Sequence, residues 1–180
     1  MALLEQQNRQ GAIELFYADE SQVSEQGYVP YGWQFAHEHV CIQVAKGGKL
    51  NLFGLISRNN QIYYQTCRQK LTAEFIAEQL EQFSFTIHKP TVVVLDNARI
   101  HTARKVKERL QEWQARGLYL FYLPPYSPHL NICERVWKEL KARWLRPEDY
   151  LSADTLFYTA TLALAAISKS LFINFSDYNL

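Results

Sequence analysis

Three acidic residues stand where oxygen-ligand chemistry could be done. Asp19 closes the alternating run Ala12 to Ala18 (AIELFYA), Asp96 closes the Val-rich run Thr91 to Leu95 (TVVVL), and Glu134 falls in the first turn of the helix expected after YSPHLN. A buried strand that delivers a carboxylate to its end must hydrate it, neutralise it or give it a cation. Carboxylates gathered in one cleft repel one another. A divalent ion that prefers oxygen, Mg²⁺ above all, removes that repulsion and leaves positions for water and phosphate. Two such ions held by three carboxylates can stabilise both the attacking and the leaving oxygen of a phosphodiester displacement.

Each acid also has a plain structural reading. Asp19 fits a solvated strand-to-loop turn, Asp96 an acceptor for the turn that opens the next helix, and Glu134 the N3 position of a capping box with Asn131 at the N-cap. At about 100° per residue, Cys133, Val136, Trp137, Leu140 and Trp144 form a buried stripe, with Glu134 on its flank beside Lys138 and Lys141. Lys138, one turn beyond Glu134, reads equally as its ion-pair partner or as a phosphate contact.

The elements that must position these acids follow from pattern. After the first strand, Ser21 to Trp33 is turn-rich and reads as irregular. His39 to Ala45 and Lys49 to Ser57 read as a hairpin closed by Lys46, Gly47 and Gly48, with Gln61 to Cys67 as a further strand after the turn Arg58, Asn59, Asn60. Thr72 caps a helix to about Phe83, with Phe75, Ile76, Leu80 and Phe83 at helical spacing. Thr91 to Leu95 is a buried strand, Thr102 to Ala115 a helix closed by Gly117, and Leu118 to Leu123 a strand stopped by Pro124 and Pro125. Helices from Ile132 to Leu145 and from Ser152 to about Leu171 complete the chain, the last apolar on most sides and so packed over the sheet. An antiparallel meander followed by helix-strand alternation describes an α/β fold, a mixed sheet with helices on its faces, where functional groups gather at strand ends.

Composition bounds the rest. With 180 residues, 48% of them hydrophobic, the chain suits one domain spanning 1–180 with a sizeable core. No apolar run reaches membrane-spanning length and the N-terminus lacks a signal-peptide layout, so a cytoplasmic protein is expected. Cys41, Cys67 and Cys133 are widely separated and form no CxxC pair; they read as packing residues. The net charge of +1 hides a segregation: 7 Lys/Arg against 10 Asp/Glu in residues 1–98, 11 against 4 in 99–146, and 1 against 4 in 147–180. The basic middle directly follows Asp96 and would attract a polyanion.

The blocks DES at 19–21, VVLDNARIH at 93–101 and LPPYSPHLNICERVWKELK at 123–141 together resemble the signatures of mariner-like bacterial insertion-sequence transposases. These sit within the superfamily of Asp, Asp, Glu transposases and retroviral integrases. The interval of 37 residues between Asp96 and Glu134 is similar to the family's. The resemblance implies a ribonuclease-H-like fold: a mixed sheet of an antiparallel three-strand meander plus parallel strands, flanked by helices. It implies that Asp19, Asp96 and Glu134 are the catalytic, metal-binding triad, holding two Mg²⁺ ions for which Mn²⁺ substitutes. It further implies cleavage at transposon ends, transfer of the freed 3′ hydroxyl to target DNA, a homodimer or larger synaptic assembly, and a bacterial, nucleoid-associated setting.

Asn97, Arg99, His101, Arg104, Lys105, Tyr126, Lys138 and Lys141 are DNA-binding candidates, with a helix-entry role standing beside substrate contact for His101. Two departures stand out. Ile132 occupies the place where the family often has Pro, which would loosen the presentation of Glu134. Only 18 residues precede Asp19, so the family's helix-turn-helix modules are expected to be absent, or supplied by a separate or frameshift-fused module. Two other readings stand: an inactive, transposase-derived DNA- or protein-binding fold, and a ribonuclease-H-type nuclease.

Overall fold

The computed structural model describes residues 1–25, 37, 47–125 and 127–175. Five strands form one sheet in the order β3-β2-β1-β4-β5: β1 Glu14–Ser24, β2 Lys49–Ser57, β3 Ile62–Cys67, β4 Thr91–Leu95 and β5 Leu118–Tyr122. β1, β2 and β3 run antiparallel, while β4 and β5 run parallel to β1. All five residues of β4 are buried, as expected of a strand covered on both faces.

The two faces follow the pleat. Leu15 and Tyr17 of β1 join Val92 and Val94 of β4 beneath α5 (Cys133–Glu139) and α6 (Ala153–Ala166). Phe16 and Ala18 join Val93 and Leu95 beneath α2 (Ala73–Ser84), with Val106 and Trp113 completing that layer. Thr72 caps α2 by accepting from the Phe75 amide at 3.3 Å, the arrangement its sequence predicts.

The strand that carries Asp19 differs from expectation. It runs on past Asp19 and Glu20 to Ser24, so Ser21 to Ser24 are strand residues and not the start of an irregular segment. The reason is non-local: β2 pairs with β1 along its whole length, from Phe16 with Ser57 to Ser24 with Lys49, whereas the pairing with β4 stops at Tyr17 with Val94. Beyond Tyr17, β1 is held on one edge only and parts from β4. Asp19 therefore lies in the crevice between two parallel strands, at the carboxyl end of β4, where open α/β sheets build their sites.

The meander consists of β1, β2 and β3. The expected first hairpin strand, His39 to Ala45, lies outside the described residues, and both edges of β2 are taken by β1 and β3. The turn at Arg58, Asn59 and Asn60 forms as expected, with Asn60 at φ +61°. An unpredicted helix, α1 Ala2–Arg9, packs its Glu5 between Tyr17 and Arg58. The expected helix 102–115 is two pieces, α3 Arg104–Lys107 and α4 Leu110–Ala115, because Arg109 N bonds Val106 O three residues back and tightens the turn between them. Gly117 closes α4 at φ +91°, a backbone region open to glycine.

The helix expected over 132–145 is regular only to Glu139. It widens to a π turn over Leu140–Trp144, closed by Leu145 N on Leu140 O. α6 ends at Ala166, short of Leu171, where Ile167 turns extended and Ser168 takes φ +70°. Among the described residues no helix is long and apolar enough to cross a membrane.

Candidate active site

Asp19, Asp96 and Glu134 line one cavity of about 330 Å³, together with Asn97, Pro124, Ser127 and Asn131. Strand alternation explains the first two. Asp19 follows the parity of Leu15 and Tyr17, and Asp96 that of Val92 and Val94, so both belong to the face that α5 covers. Glu134 is brought over them by the anchoring of α5. Asn131 Nδ2 donates to Ala18 O at 2.9 Å, one residue before Asp19, and Asn131 Oδ1 accepts from Cys133 N at 3.0 Å. Asn131 thus fastens the start of α5 to β1, and Ile132 behind it is fully buried. The capping box expected of Asn131 and Glu134 is replaced by this tie, which leaves the exposed Glu134 carboxylate on the cavity wall.

Each aspartate has its own holder. Trp137 Nε1 donates to Asp19 Oδ2 at 3.0 Å. His101 places Nδ1 2.7 Å from Asp96 Oδ1 and Nε2 2.6 Å from Glu20 Oε1, and its side chain has no exposed surface. Carboxylates only accept, so the imidazole donates from both nitrogens and carries a positive charge. Burial alone would lower the His101 pKa, but the hydrogen bonds to Asp96 and Glu20 outweigh it and push it up to about 10. The same bond from His101, aided by the Ala98 amide and opposed by burial, holds the Asp96 carboxyl below its ordinary value. Tyr122 Oη donates to His101 O at 3.0 Å, and Asn97 Nδ2 donates to Leu123 O, tying the segment after β4 to the end of β5.

Asp19 is the strained member. Burial, then repulsion from Glu20, Glu134 and Asp96, pushes its pKa up to about 7 against the lowering influence of the Glu20 amide. Lys141, half-buried, feels the Asp19 charge, though burial still lowers its own pKa. Buried Cys133, beside the same acids, has its thiol pushed up by burial and by Asp19. This donor set is hard oxygen throughout and lacks a sufficient counter-charge at Asp19, which suits Mg²⁺ or Mn²⁺ and not a thiolate- or imidazole-seeking metal. Among the described residues no three His, Cys, Asp or Glu side chains already meet around one point. The acids border the cavity.

The DNA-contact candidates divide. His101 is fully buried between two carboxylates, which agrees with its helix-entry reading and leaves it no exposed surface for a DNA contact. Asn97 lines the cavity and gives one of its two amide N–H donors to Leu123 O. Arg104 pairs with Glu108 at 3.2 Å on the surface. Arg99, Lys105 and Lys138 are exposed and Lys141 flanks Asp19. Tyr126 lies outside the described residues. Reading by pattern missed three supporting residues: Glu20, which passes as a mere neighbour of Asp19; Trp137, which passes as core; and Gly54, which faces Asp19 across β2.

A protein family described as DDE superfamily endonuclease matches residues 14–157. The chain is 28% identical over 113 residues to the uncharacterized protein y4pE/y4sA of Sinorhizobium fredii (strain NBRC 101917 / NGR234), covering 63% of this chain and 69% of that one. Its fold is similar to the catalytic core domain of BIV integrase, with a TM-score of 0.56 at 15% identity, covering 89% of this chain and 86% of that one. It is equally similar, at a TM-score of 0.56 and 18% identity, to Mos1 transposase in a paired-end complex with its left transposon end; 92% of this chain is covered but only 55% of the Mos1 chain. The mixed sheet and its helices thus share the fold of these two structures.

Proposed function

The chain belongs to the DDE superfamily endonucleases, and from that premise we propose that it is the catalytic domain of a transposase whose working residues are Asp19, Asp96 and Glu134. The observation that carries this is the convergence of three carboxylates, from β1, the end of β4 and the first turn of α5, on one cavity. Asp19 and Asp96 lie on one face of the sheet and Glu134 comes over them, so all three could hold divalent ions, Mg²⁺ or Mn²⁺, two of them sharing the site. When bound, such ions polarise the scissile phosphodiester and offset charge on its oxygens.

The chain's own residues supply the remainder. His101, braced on Glu20, keeps Asp96 ionised and oriented. Asn131 sets the position of Glu134 relative to β1. Lys138 and Lys141, on the helix that carries Glu134, contact the DNA backbone beside the cavity, with Arg99 and Lys105 extending the basic surface. In cleavage a water oxygen bonds to phosphorus and the 3′ oxygen leaves; in strand transfer that 3′ hydroxyl bonds to a target phosphorus and the target's 3′ oxygen leaves. No bond to the protein is needed. DNA is the partner, two element ends are joined in a dimer or larger assembly, and residues 1–180 act as one catalytic unit. The Mos1 paired-end complex supports the DNA-bound, paired arrangement.

The test is to incubate labelled element-end DNA with the protein and Mg²⁺ or Mn²⁺, alongside Asp96→Asn. Ion-dependent nicking that disappears in the variant supports the proposal; equal nicking by both proteins defeats it.

A further inference from the structure

The indole of Trp137 joins an acid of the cavity to a glycine in the middle of a strand. The side chain is 5% exposed, and its Nε1 donates to Asp19 Oδ2 at 3.0 Å. A buried indole N–H needs an acceptor, and here the acceptor is a proposed ion ligand. Beneath the ring lies Gly54, the β2 residue paired with Asp19 in the sheet. A Cβ at Gly54 would stand 2.9 Å from Trp137 Cη2 and 3.2 Å from Cζ2, inside the roughly 3.5 Å at which carbons pack. A glycine in the interior of a strand marks such a close approach. Here it faces Asp19 itself.

We propose that Trp137 is a positioning residue for Asp19: its N–H occupies Oδ2, fixes the carboxylate plane and leaves Oδ1 to be offered to a divalent ion, with Gly54 as the socket that admits the ring. This rests on the reading of Asp19 as an ion ligand given above. Asp19 feels repulsion from Glu20, Glu134 and Asp96, with Lys141 as a nearby cation and the Glu20 amide as a second neutral partner, so the neutral indole donor orients it without competing for the ion as a cation would. Among the described tryptophans Trp137 alone donates to an acid of the cavity; Trp113 donates to Glu81. Outer partners of metal ligands typically contribute about 10- to 100-fold in metal affinity.

Two measurements test it. In the ¹⁵N-labelled wild-type chain, MgCl₂ is titrated while the indole N–H signals of the four tryptophans are followed. The Trp137 signal is expected to move with the midpoint that calorimetry gives for ion binding. Separately, Trp137→Phe is expected to weaken Mn²⁺ binding about 10- to 100-fold, and to change nothing further when introduced into Asp19→Asn, because the effect passes through Asp19.

A Trp137 signal unmoved at saturating Mg²⁺, or Mn²⁺ affinity unchanged in Trp137→Phe, overturns the positioning role; if wild type still binds the ion and Asp96→Asn does not, the functional reading stands without it. Absence of ion binding by wild type overturns both. The indole titration needs no variant, so it decides even if Trp137→Phe fails to fold.

Discussion

His101 Nδ1 lies 2.7 Å from Asp96 Oδ1, with the imidazole fully enclosed. The opposite nitrogen meets Glu20 at 2.6 Å, so one buried cation spans the two strands, β1 and β4, that part at the site. Glu20 follows the parity of Phe16 and Ala18 and so belongs to the opposite face of β1 from Asp19. Strand β1 thus presents one acid to the cavity and uses the next to brace it.

Replacing His101 with Gln removes the charge and leaves two carboxylates facing each other through a neutral group. His101→Gln is expected to lower stability by about 2 to 3 kcal/mol, the cost of breaking a buried charged contact, and to reduce nicking at least about tenfold. Urea unfolding and the plasmid nicking rate measure the two effects. Wild-type nicking by a folded His101→Gln would show that the brace is irrelevant to the site.

Asp19 makes metal-free protein sensitive to alkali. Its folded pKa of about 7 lies above the ordinary aspartate value of 3.8, so its contribution to stability is complete below about pH 4 and is lost as pH rises through 7. In chelator at pH 8, Asp19→Asn is expected to be more stable than wild type by about 3 to 4 kcal/mol, since Asn keeps an acceptor for Trp137 without the charge. Mg²⁺ at about 1,000 times its Kd should close this gap, because wild type then gains about 4 kcal/mol of ligand-linked stability and the variant, short of one ligand, gains less. Melting curves with chelator and with Mg²⁺ check both halves; a gap that Mg²⁺ leaves unaltered means that Asp19 is not a ligand.

Glu81 provides the opposite pH dependence, away from the cavity. Burial would raise its pKa, yet hydrogen bonds from Trp113 Nε1 and Arg116, each 2.7 Å, together with the nearby Arg109, lower it below 4.5. A depressed carboxylate stabilises the fold above its unfolded pKa, and that stability is lost as pH falls below about 4.5. Glu81→Gln should therefore be less stable than wild type at pH 7 and show a flatter decline in urea titrations between pH 6 and 3. Parallel declines would contradict this.

How far the molecule was readable from its residues depends on how local each interaction is. The burial of Thr91 to Leu95 and the placement of Asp96 at its end follow from five consecutive strand-forming residues, and the Thr72 cap from contacts three residues away. The length of β1 was not readable, because it is set by pairing with a strand that begins 25 residues after its last residue, Ser24 with Lys49. Pattern placed Trp137 correctly in the buried stripe but could not say where its N–H points, since its acceptor is 118 residues away. His101 was half legible for the same reason: its place at the helix entry beside Asp96 is local, whereas Glu20, which encloses it from the other side, is 81 residues away.

The basic residues predict a salt dependence. Each phosphate contact contributes about one to the slope of log affinity against log salt. Lys138→Ala and Lys141→Ala should each lower the slope for DNA by about one, measured by fluorescence anisotropy between 50 and 300 mM NaCl, roughly the range in which counterion release dominates. A slope unchanged in the double variant places the DNA elsewhere.

The central claim is that Asp19, Asp96 and Glu134 grip divalent ions together, and anomalous diffraction from crystals soaked in Mn²⁺ tests it most directly. An anomalous peak inside the cavity, within ligand distance of carboxylate oxygens from Asp19, Asp96 and Glu134, is the expected result. Saturating Mn²⁺ with no peak there, or a peak only on other residues, contradicts the account.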